Sequence, residues 1–307
     1  MQQQSTSFSL NEANALAHAL LARIGRDNGI RTLSIKGLVA DHHGLRKPRV
    51  AADADVIVEP GRFDEFCRLL TAHGWHLRVE REVPSLLGPH SVTFIRDDWP
   101  NDIDAHVRFP GFFADDGTVF ERLWQTRAFM EAAHNEITVP SRGASAVIAA
   151  LHAVRYTKSV RHAGELEQIA HLLTEEFTDA EREEFVDVAR AGHAQWVLRE
   201  LFDLIDQPYE VDANPRQQEL WDTNRATVED GAAVSWLSML KAAPLHRKPA
   251  VLFRALWISR VDIPRNDANR MPTLGEAWAH RMLRWRRGAI ALWHYARATR
   301  RRSTEPS

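Results

Sequence analysis

The sequence predicts a mixed α/β domain followed by an all-helical one. Up to about residue 140 the predicted elements run helix, strand, helix, strand, helix and then several strands. This order is typical of an α/β sheet with mixed topology and flanking helices. From Ser141 onward almost every segment has the apolar period of a helix. We therefore expect two domains, residues 1–140 and 141–307, a number that also suits a chain of 307 residues.

The first elements are marked by their boundary residues. Ser9 and Glu12 form a capping box that starts an amphipathic helix, and Asn28-Gly29 ends it. The strand "IRTLSI" follows and runs into the turn "SIKG", where a short helix begins. After the loop "RKPRV", a second strand, "DADVIV", is broken by Pro60-Gly61.

The predicted strands continue after an amphipathic helix, "RFDEFCRLLTAHG". They are "WHLRVE", "HSVTFIR" and "IDAHVRF", and the turn residues of "DDWPND" join the last two into a hairpin of about residues 90–109. In the second half, Thr178 and Glu181 form another capping box. A polar interruption at 206–215 precedes helical segments around 230–260 and 275–300.

Composition excludes several classes of protein. The formal net charge of -2 gives no global attraction to nucleic acid or to an anionic membrane. A single cysteine, Cys67, excludes an internal disulfide and a thiolate zinc cluster. The N-terminus does not have the pattern of a signal peptide, and no apolar run reaches the roughly 20 residues that span a bilayer. We expect a cytoplasmic protein without a membrane partner.

Acidic residues alternate along two of the predicted strands. Asp53 and Asp55 share one face of the first, and Asp102, Asp104 and His106 share one face of the second. Neighbouring carboxylates repel each other unless a cation lies between them. Oxygen-rich clusters of this kind select Mg²⁺ or Mn²⁺, and two ions about 4 Å apart suit an in-line phosphoryl displacement.

The turn before the acidic strands has the chemistry of a phosphate site. Lys36 and Gly37 stand where a strand ends and a helix begins. A glycine allows the backbone to approach a ligand, and the free N–H groups of a first helical turn favour phosphate. Lys36 adds a positive charge at the same point.

These motifs together resemble a known family. "IKGLVADHHGLRKPRVAADADVIVEP" followed by "DIDAHVRF" is similar to an uncharacterised bacterial branch of the DNA polymerase β-like nucleotidyltransferase superfamily. That branch has a Lys-Gly turn, an arginine four residues before a D-x-D strand, and a third acidic strand ending in Asp-x-His. The matching positions are Lys36, Gly37, Arg49, Asp53, Asp55, Asp104 and His106. The resemblance covers about residues 30–110.

The resemblance implies a fold, a reaction and residue roles. The fold would be a polymerase β-like mixed sheet followed by a helical domain. The enzyme would transfer a nucleoside monophosphate from an NTP, such as ATP, to a hydroxyl of a small molecule, a protein or peptide, or an RNA, and release pyrophosphate. Asp53 and Asp55 would bind the Mg²⁺ or Mn²⁺ that holds the triphosphate. Asp104 would hold a second ion and help deprotonate the acceptor hydroxyl, a role for which Asp102 competes.

Cationic and neutral residues of the motif would bind the nucleotide. Lys36 and Arg49 are the expected triphosphate contacts, although Arg49 could equally pair with Asp53 as a structural ion pair. Gly37 is needed if the backbone donates at the turn. His106 either assists the acceptor or hydrogen-bonds a metal ligand, or else is a buried structural histidine.

Two alternatives stay open. The superfamily's Gly-Ser or Gly-Gly pair is Gly37-Leu38 here, which favours a non-catalytic nucleotide-binding or scaffolding module with the same fold. The basic C-terminal stretch with Trp285, Trp293 and Tyr295 favours binding of nucleic acid or another anionic partner. An amphipathic helix that packs its tryptophans inward explains the same pattern.

The second half offers one more group of candidates. Lys158, Arg161, Glu165 and Glu167 lie on the segment after its first long helix and are candidate base or acceptor contacts. The sequence determines neither the acceptor nor the preferred NTP.

Overall fold

The protein is described by a computed structural model that covers residues 9–78, 90–156, 159–230, 236–237, 239–241, 243–260, 263 and 271–302. The chain divides into two compact units. The first comprises residues 1–77 and 90–217, and the second comprises residues 78–89 and 218–307. The boundary at residue 140 that the sequence predicts stays a prediction.

The first unit begins with the elements that carry the acidic strands. In chain order they are α1 (Leu10–Asp27), β1 (Thr32–Ile35), α2 (Gly37–His42), β2 (Asp53–Val58), α3 (Phe63–Ala72), β3 (His76–Leu77), β4 (Ser91–Ile95) and β5 (Asp102–His106). A single 3₁₀ turn at Pro60–Arg62 joins β2 to α3. The last two residues of the predicted strand "WHLRVE" lie outside the described residues.

A small hairpin and five helices complete this unit. They are α4 (Asp116–Gln125), β6 (Arg127–Ala132), β7 (Asn135–Pro140), α5 (Arg142–Ala153), α6 (Val160–His171), α7 (Asp179–Ala191) and α8 (Arg199–Leu204). The helix α9 (Pro215–Asp230) leads into the second unit, which also holds α10 (Lys248–Leu256) and α11 (Leu274–Arg302). Among the described residues after β7, the regular elements are all helical.

The predicted mixed sheet is confirmed. Its five strands lie in the order β1-β2-β5-β4-β3. β2 and β5 are parallel, whereas the other three pairings are antiparallel. The antiparallel pair β4–β5 is the hairpin expected at residues 90–109. Neither strand of the separate two-stranded sheet β6–β7 is among the strands that the sequence analysis names.

Both predicted capping boxes are confirmed. Ser9 Oγ accepts from the backbone N–H of Glu12, and the Glu12 carboxylate accepts from the backbone N–H of Ser9. Thr178 and Glu181 make the same reciprocal pair at the start of α7. Each cap satisfies backbone donors that the helix leaves unpaired, which is worth about 1 kcal/mol of stability.

The sheet has one apolar face, and this fixes where the acidic residues go. Ala54, Val56, Ile103 and Ala105 are buried in a cluster with apolar residues of α1 and α3. Because alternate residues of a strand point to opposite faces, the aspartates between them must lie on the other face. Shifting the register of either strand by one residue would place carboxylates in this core.

The second unit has a small core of its own. Ile258, Ile263 and Ala277 form its buried cluster. Side chains of α11 also satisfy carbonyl groups at and just beyond the end of α10, where a helix leaves acceptors unpaired. Arg281 donates to the Ile258 carbonyl, and Arg284 donates to that of Ala255. Within the described ranges, the helices are too short or too polar to cross a bilayer.

Candidate functional site

The parallel pairing of β2 with β5 brings the acidic residues together. Asp53 lies opposite Asp102, and Asp55 lies opposite Asp104. Residues that lie opposite each other on neighbouring strands point to the same face of the sheet. Residues two apart on one strand also share a face. The two D-x-D sequences therefore form a carboxylate array on the face away from α1 and α3.

Asp55 is the centre of this array. Its side chain is only 3% exposed, and its Oδ1 atom accepts from two donors. Lys36 Nζ lies 2.5 Å away, and His106 Nε2 lies 2.8 Å away. Since an ionised carboxylate can only accept, Nε2 of His106 carries the proton and Nδ1 holds the lone pair. His106 Nδ1 is buried without a hydrogen-bond partner within the described structure.

The other aspartates are held by neutral donors. Asp104 Oδ1 accepts from Thr93 Oγ1 at 2.6 Å, across the β4–β5 pair. Asn14, on the buried face of α1, donates from Nδ2 to the Asp53 backbone carbonyl at 2.7 Å. These contacts fix the two strands without neutralising their charge.

The carboxylates are not equally easy to ionise. Burial, together with the nearby Asp55 charge, raises the pKa of Asp104 to about 6. The same two causes raise the pKa of Asp53. Burial would also raise the pKa of Asp55, but Lys36 and the hydrogen bond from His106 outweigh it, and the pKa of Asp55 lies below its usual value. The array is therefore ionised at neutral pH at a cost in free energy.

The two groups beside Asp55 respond in opposite ways. Burial opposes the charge of Lys36, but the surrounding aspartates, Asp55 foremost, raise the pKa of its ammonium group. Burial and the charge of Lys36 lower the pKa of His106. Lys36 is therefore the cation of the array, and His106 is a neutral orienting donor. One lysine does not balance three ionised aspartates.

The donor set suits a divalent cation. One potential ligand atom on each of Asp55, Asp104 and His106 lies within 4.8 Å of the others. Because His106 Nε2 donates its proton to Asp55, the two carboxylates are the groups of these three that can bind an ion. Two carboxylates with additional oxygen ligands are the usual site for Mg²⁺ or Mn²⁺. Asp53 is outside this group of three, but it lies along the same face and lines the adjoining cavity.

A cavity of about 340 Å³ opens beside the array within the first unit. This volume is within the range of small-molecule sites. Asp53 and Asp55 line one side, and α5 and α6 contribute His152, Glu165 and Ile169. Four cationic side chains also line it: Lys36, Arg46, Arg49 and Arg161. The cavity thus combines an acidic wall with a cationic rim.

Arg49 does not pair with Asp53, the structural alternative that the sequence left open. It forms an ion pair with Glu165 of α6, which also lies 3.9 Å from Arg161 Nε. The Glu165 side chain is largely buried, whereas Glu167 is exposed. Glu165 thus links the loop before β2 to α6 across the cavity.

Gly37 is required by packing. It is buried with φ +23°, and a Cβ atom there would lie 3.1 Å from Cβ of Ala51. Its carbonyl accepts from Arg46 at 3.1 Å. The preceding Lys36 also has positive φ, 55°, which directs the chain into α2. The turn thus lies close against the loop that leads into β2.

Histidines outside the array differ in their surroundings. His43 bonds the Pro140 carbonyl, and His162 stacks on Tyr156. His152 lines the cavity, and burial together with Lys36 lowers its pKa to about 3, so its imidazole is neutral there. Lys158, a candidate contact from the sequence, lies outside the described residues.

Two residues that contact the array are absent from the sequence-based set. Asn14 shares the buried side of α1 with His18, four residues later, and a polar pair on an apolar helix face is a detectable signal. Thr93 gives no such signal, because its contact with the array follows only from its position opposite Asp104. Strand register across a hairpin is needed to find it.

Comparison with known proteins gives distant structural likenesses. No protein-family model matches the chain, and no curated protein matches it by sequence. A nucleotidyltransferase-like protein from Paracoccidioides brasiliensis matches at 10% identity with a TM-score of 0.35, covering 65% of this chain and 94% of that one. The antibiotic-resistance factor ANT(2'')-Ia matches at 13% identity and a TM-score of 0.39, covering 63% and 97%.

A third likeness is to a tRNA nucleotidyltransferase solved with a primer tRNA and an incoming ATP analogue. It has 15% identity and a TM-score of 0.24, and the match covers 76% of this chain and 79% of that one. Likenesses at these identities and TM-scores assign no function to the chain.

Replacing Asp104 with Asn is expected to stabilise the metal-free protein at pH 7.5. The native carboxyl has a pKa of about 6 in the folded state against 3.8 as the ordinary value. The protonated Asp104 carboxyl therefore stabilises the folded state fully below pH 3.8, and this contribution is lost as the pH rises through 6. After a reduction for screening by solvent, Asp104→Asn should raise the free energy of unfolding by about 2 kcal/mol at pH 7.5. This gain should disappear near pH 4. Urea unfolding in the presence of a chelator measures it.

Asp102→Asn is the matched control on the same strand and face. It should give a smaller change at pH 7.5. If Asp102→Asn stabilises the protein as much as Asp104→Asn or more, ionised Asp104 is not the main source of the destabilisation.

Replacing Gly37 with Ala should destabilise the first unit more than the same change at Gly44. Both residues have positive φ, but nothing lies within 4 Å of a Cβ at Gly44, whereas Ala51 lies close to one at Gly37. Backbone strain alone costs about 1 kcal/mol, and crowding adds to it at Gly37 only. Chemical denaturation of the two variants compares them, and equal losses would show that the close approach of Ala51 is unimportant.

Proposed function

We propose that this chain is a metal-dependent nucleotidyltransferase that moves a nucleoside monophosphate from an NTP to a hydroxyl acceptor and releases pyrophosphate. The observation that carries the proposal is the excess of carboxylate over cation on one sheet face, next to a cavity with a cationic rim. Phosphoryl transfer needs positioning and charge neutralisation more than covalent chemistry. An array of this kind supplies both.

The carboxylates would hold Mg²⁺ or Mn²⁺. Asp55 and Asp104 offer the closest ligand atoms, and Asp53 extends the set along the same face. The bound cation would supply charge neutralisation for the phosphates and for the oxygens that attack and leave. His106, by donating to Oδ1 of Asp55, would leave the other oxygen of that carboxylate for the cation.

The cationic rim would bind the triphosphate. Lys36 lies between the array and the cavity, so it can exchange its contact with Asp55 for a phosphate oxygen. Arg49 would approach from the loop before β2, where Glu165 holds its guanidinium. Lys36 would thereby take the place of the serine hydroxyl that Gly37-Leu38 lacks.

Asp104 is the best candidate for the group that takes the proton of the acceptor hydroxyl. In the metal-free site, burial and the Asp55 charge raise the pKa of Asp104 to about 6, so this carboxylate holds a proton more readily than Asp55 does. In the reaction the acceptor oxygen forms a bond to the α-phosphorus. The bond between the α-phosphorus and the oxygen that bridges it to the β-phosphorus breaks, and pyrophosphate leaves with that electron pair. The hydroxyl proton passes to Asp104.

A non-catalytic nucleotide-binding module is the second candidate. The observation in its favour is the buried Lys36–Asp55 ion pair, which already neutralises one carboxylate. Such a module would bind NTP through Lys36 and Arg49 without turnover. The two candidates differ in whether pyrophosphate is released.

The proposal predicts transfer of label from an α-labelled NTP with Mg²⁺ or Mn²⁺, in the presence of cell extract as a source of acceptors. Asp53→Asn and Asp104→Asn are each expected to reduce transfer by about 100-fold or more, because each removes charge stabilisation from the site. Asp97→Asn, at an exposed aspartate, is the control and should leave transfer unchanged. Pyrophosphate release and labelled products are measured together.

Failure of this experiment has a clear form. If the native protein binds NTP but releases no pyrophosphate, and the two variants bind it equally well, the enzyme proposal is wrong and the non-catalytic module is supported.

The affinity for Mn²⁺ in the absence of nucleotide should rise with pH up to about 6. Below that pH a bound proton must leave Asp104 before the ion can bind, so affinity should increase by about tenfold per pH unit and then level off. Titrations at several pH values, followed by electron paramagnetic resonance, measure it. Asp104→Asn should flatten the profile and Asp102→Asn should keep it. A flat native profile would exclude Asp104 as a ligand.

A further inference from the structure

The two C-terminal helices are strongly basic. Residues 241–260 contain five lysines and arginines and no Asp or Glu, and α11 contains eight arginines and one acidic residue, Glu276. The whole chain has a net charge of -2, so this region stands out against an acidic remainder. Charge of one sign on one surface attracts a partner of the opposite sign.

Large apolar side chains are exposed on the same helices. Phe253 is 64% exposed and Trp293 is 56% exposed. Leu256, Trp257, Trp278 and Met282 are exposed as well. In the first unit, by contrast, Phe66, Trp75 and Phe94 are fully buried. Exposed aromatic and aliphatic groups at this density mark an interaction surface.

These side chains form a connected surface, which we call the tryptophan face: Trp257, Trp278, Met282 and Trp293. At 100° per residue, the three α11 positions fall within about 60° around that helix. Trp257 joins them from the end of α10, with its ring centroid 6.3 Å from that of Trp278. Trp285 is half-buried, its ring centroid lies 6.0 Å from that of Trp278, and its ring N–H donates to the Leu256 carbonyl.

The arginines of α11 divide into two groups. Arg281 and Arg284 are buried, and they donate to carbonyls at the end of α10. Arg286 and Arg287 are exposed. The first pair holds the two helices together. By the same step of 100° per residue, Arg286 lies about 20° from Trp293 and places positive charge beside the tryptophan face, whereas Arg287 lies about 120° from Trp293, on the other side of the helix. Inward packing of the tryptophans, expected as one alternative, therefore holds for Trp285 but not for Trp293.

We propose that the tryptophan face binds the headgroup region of an anionic lipid bilayer, with α11 lying along the membrane surface. Arg286, beside the face, would meet anionic headgroups, and the apolar side chains would enter the boundary between headgroups and acyl chains. Tryptophan is enriched at that depth because one part of its ring system is apolar and another is a hydrogen-bond donor. This proposal replaces the expectation of no membrane partner, and it does not depend on the reaction proposed above.

Other occupants fit the surface less well. A second copy of the chain would bring two strongly basic surfaces together, and like charges repel. Nucleic acid would satisfy the arginines, but Met282 and the other exposed aliphatic groups gain little from a phosphate backbone. A bilayer offers both anionic and apolar partners at adjacent depths.

Vesicle flotation with the full chain tests the proposal. One set of vesicles is pure phosphatidylcholine, and the other contains about 30% phosphatidylglycerol, which gives an anionic surface. Binding is expected to the anionic set only, and it should weaken as salt is added, because screening shortens the reach of the arginines.

Two variants separate the contributions. Arg286→Gln should weaken binding by about fivefold, the effect of one basic residue near an anionic surface. Met282→Ser with Trp293→Ser should weaken it by about tenfold or more through lost apolar burial. Arg23→Gln and Val211→Ser, at exposed positions of the first unit, are the matched controls and should bind normally. Circular dichroism checks that every variant is folded.

Three results would overturn the proposal. One is an absence of binding to anionic vesicles, or equal binding to both sets. Another is tight binding to tRNA or duplex DNA that is lost in the arginine variant but kept in the Met282/Trp293 variant, which would identify nucleic acid as the partner. The last is a dimer in sedimentation analysis that the Met282/Trp293 variant abolishes, which would identify a second copy.

Discussion

The parallel pairing of β2 with β5 is the interaction on which the site depends. It sets Asp53 against Asp102 and Asp55 against Asp104, and it does so because the alternate residues of both strands are buried against α1 and α3. The apolar core therefore decides the position of the charges. A strand that slipped by one residue would lose both the core and the array, so the hydrophobic effect fixes an electrostatic arrangement that is itself unfavourable.

That unfavourable arrangement is the strongest physical indication of a function. A fold selected for stability alone would not hold partly buried carboxylates next to one another with a single lysine between them. The raised pKa values of Asp53 and Asp104 express this cost, and the contacts from Asn14 and Thr93 hold the backbone and side chains in place despite it. Sites that bind cations commonly carry such strain in their empty form.

Local features of the fold were predictable from the sequence, because they depend on neighbouring residues. The bounds of β2, the two capping boxes and the β4–β5 hairpin all follow from side-chain alternation, caps and turn residues. Contacts between distant segments were harder to predict. Arg49 pairs with Glu165, 116 residues later in the chain, and no local pattern distinguishes that glutamate from Glu167. The strand β6 has no clear alternation and depends on β7 for its pairing.

The strand order also determines when the site can form. β5 lies in the middle of the sheet, between β2 and β4, yet it is the last of the five strands in the chain. During synthesis β1 and β2 can pair early, but an edge of β2 stays open until β5 has emerged and inserted beside it. Carboxylate repulsion is therefore met only at the last step of sheet assembly, when the apolar side of β5 is buried at the same moment. A cation present at that step would act on the rate of folding as well as on the finished site.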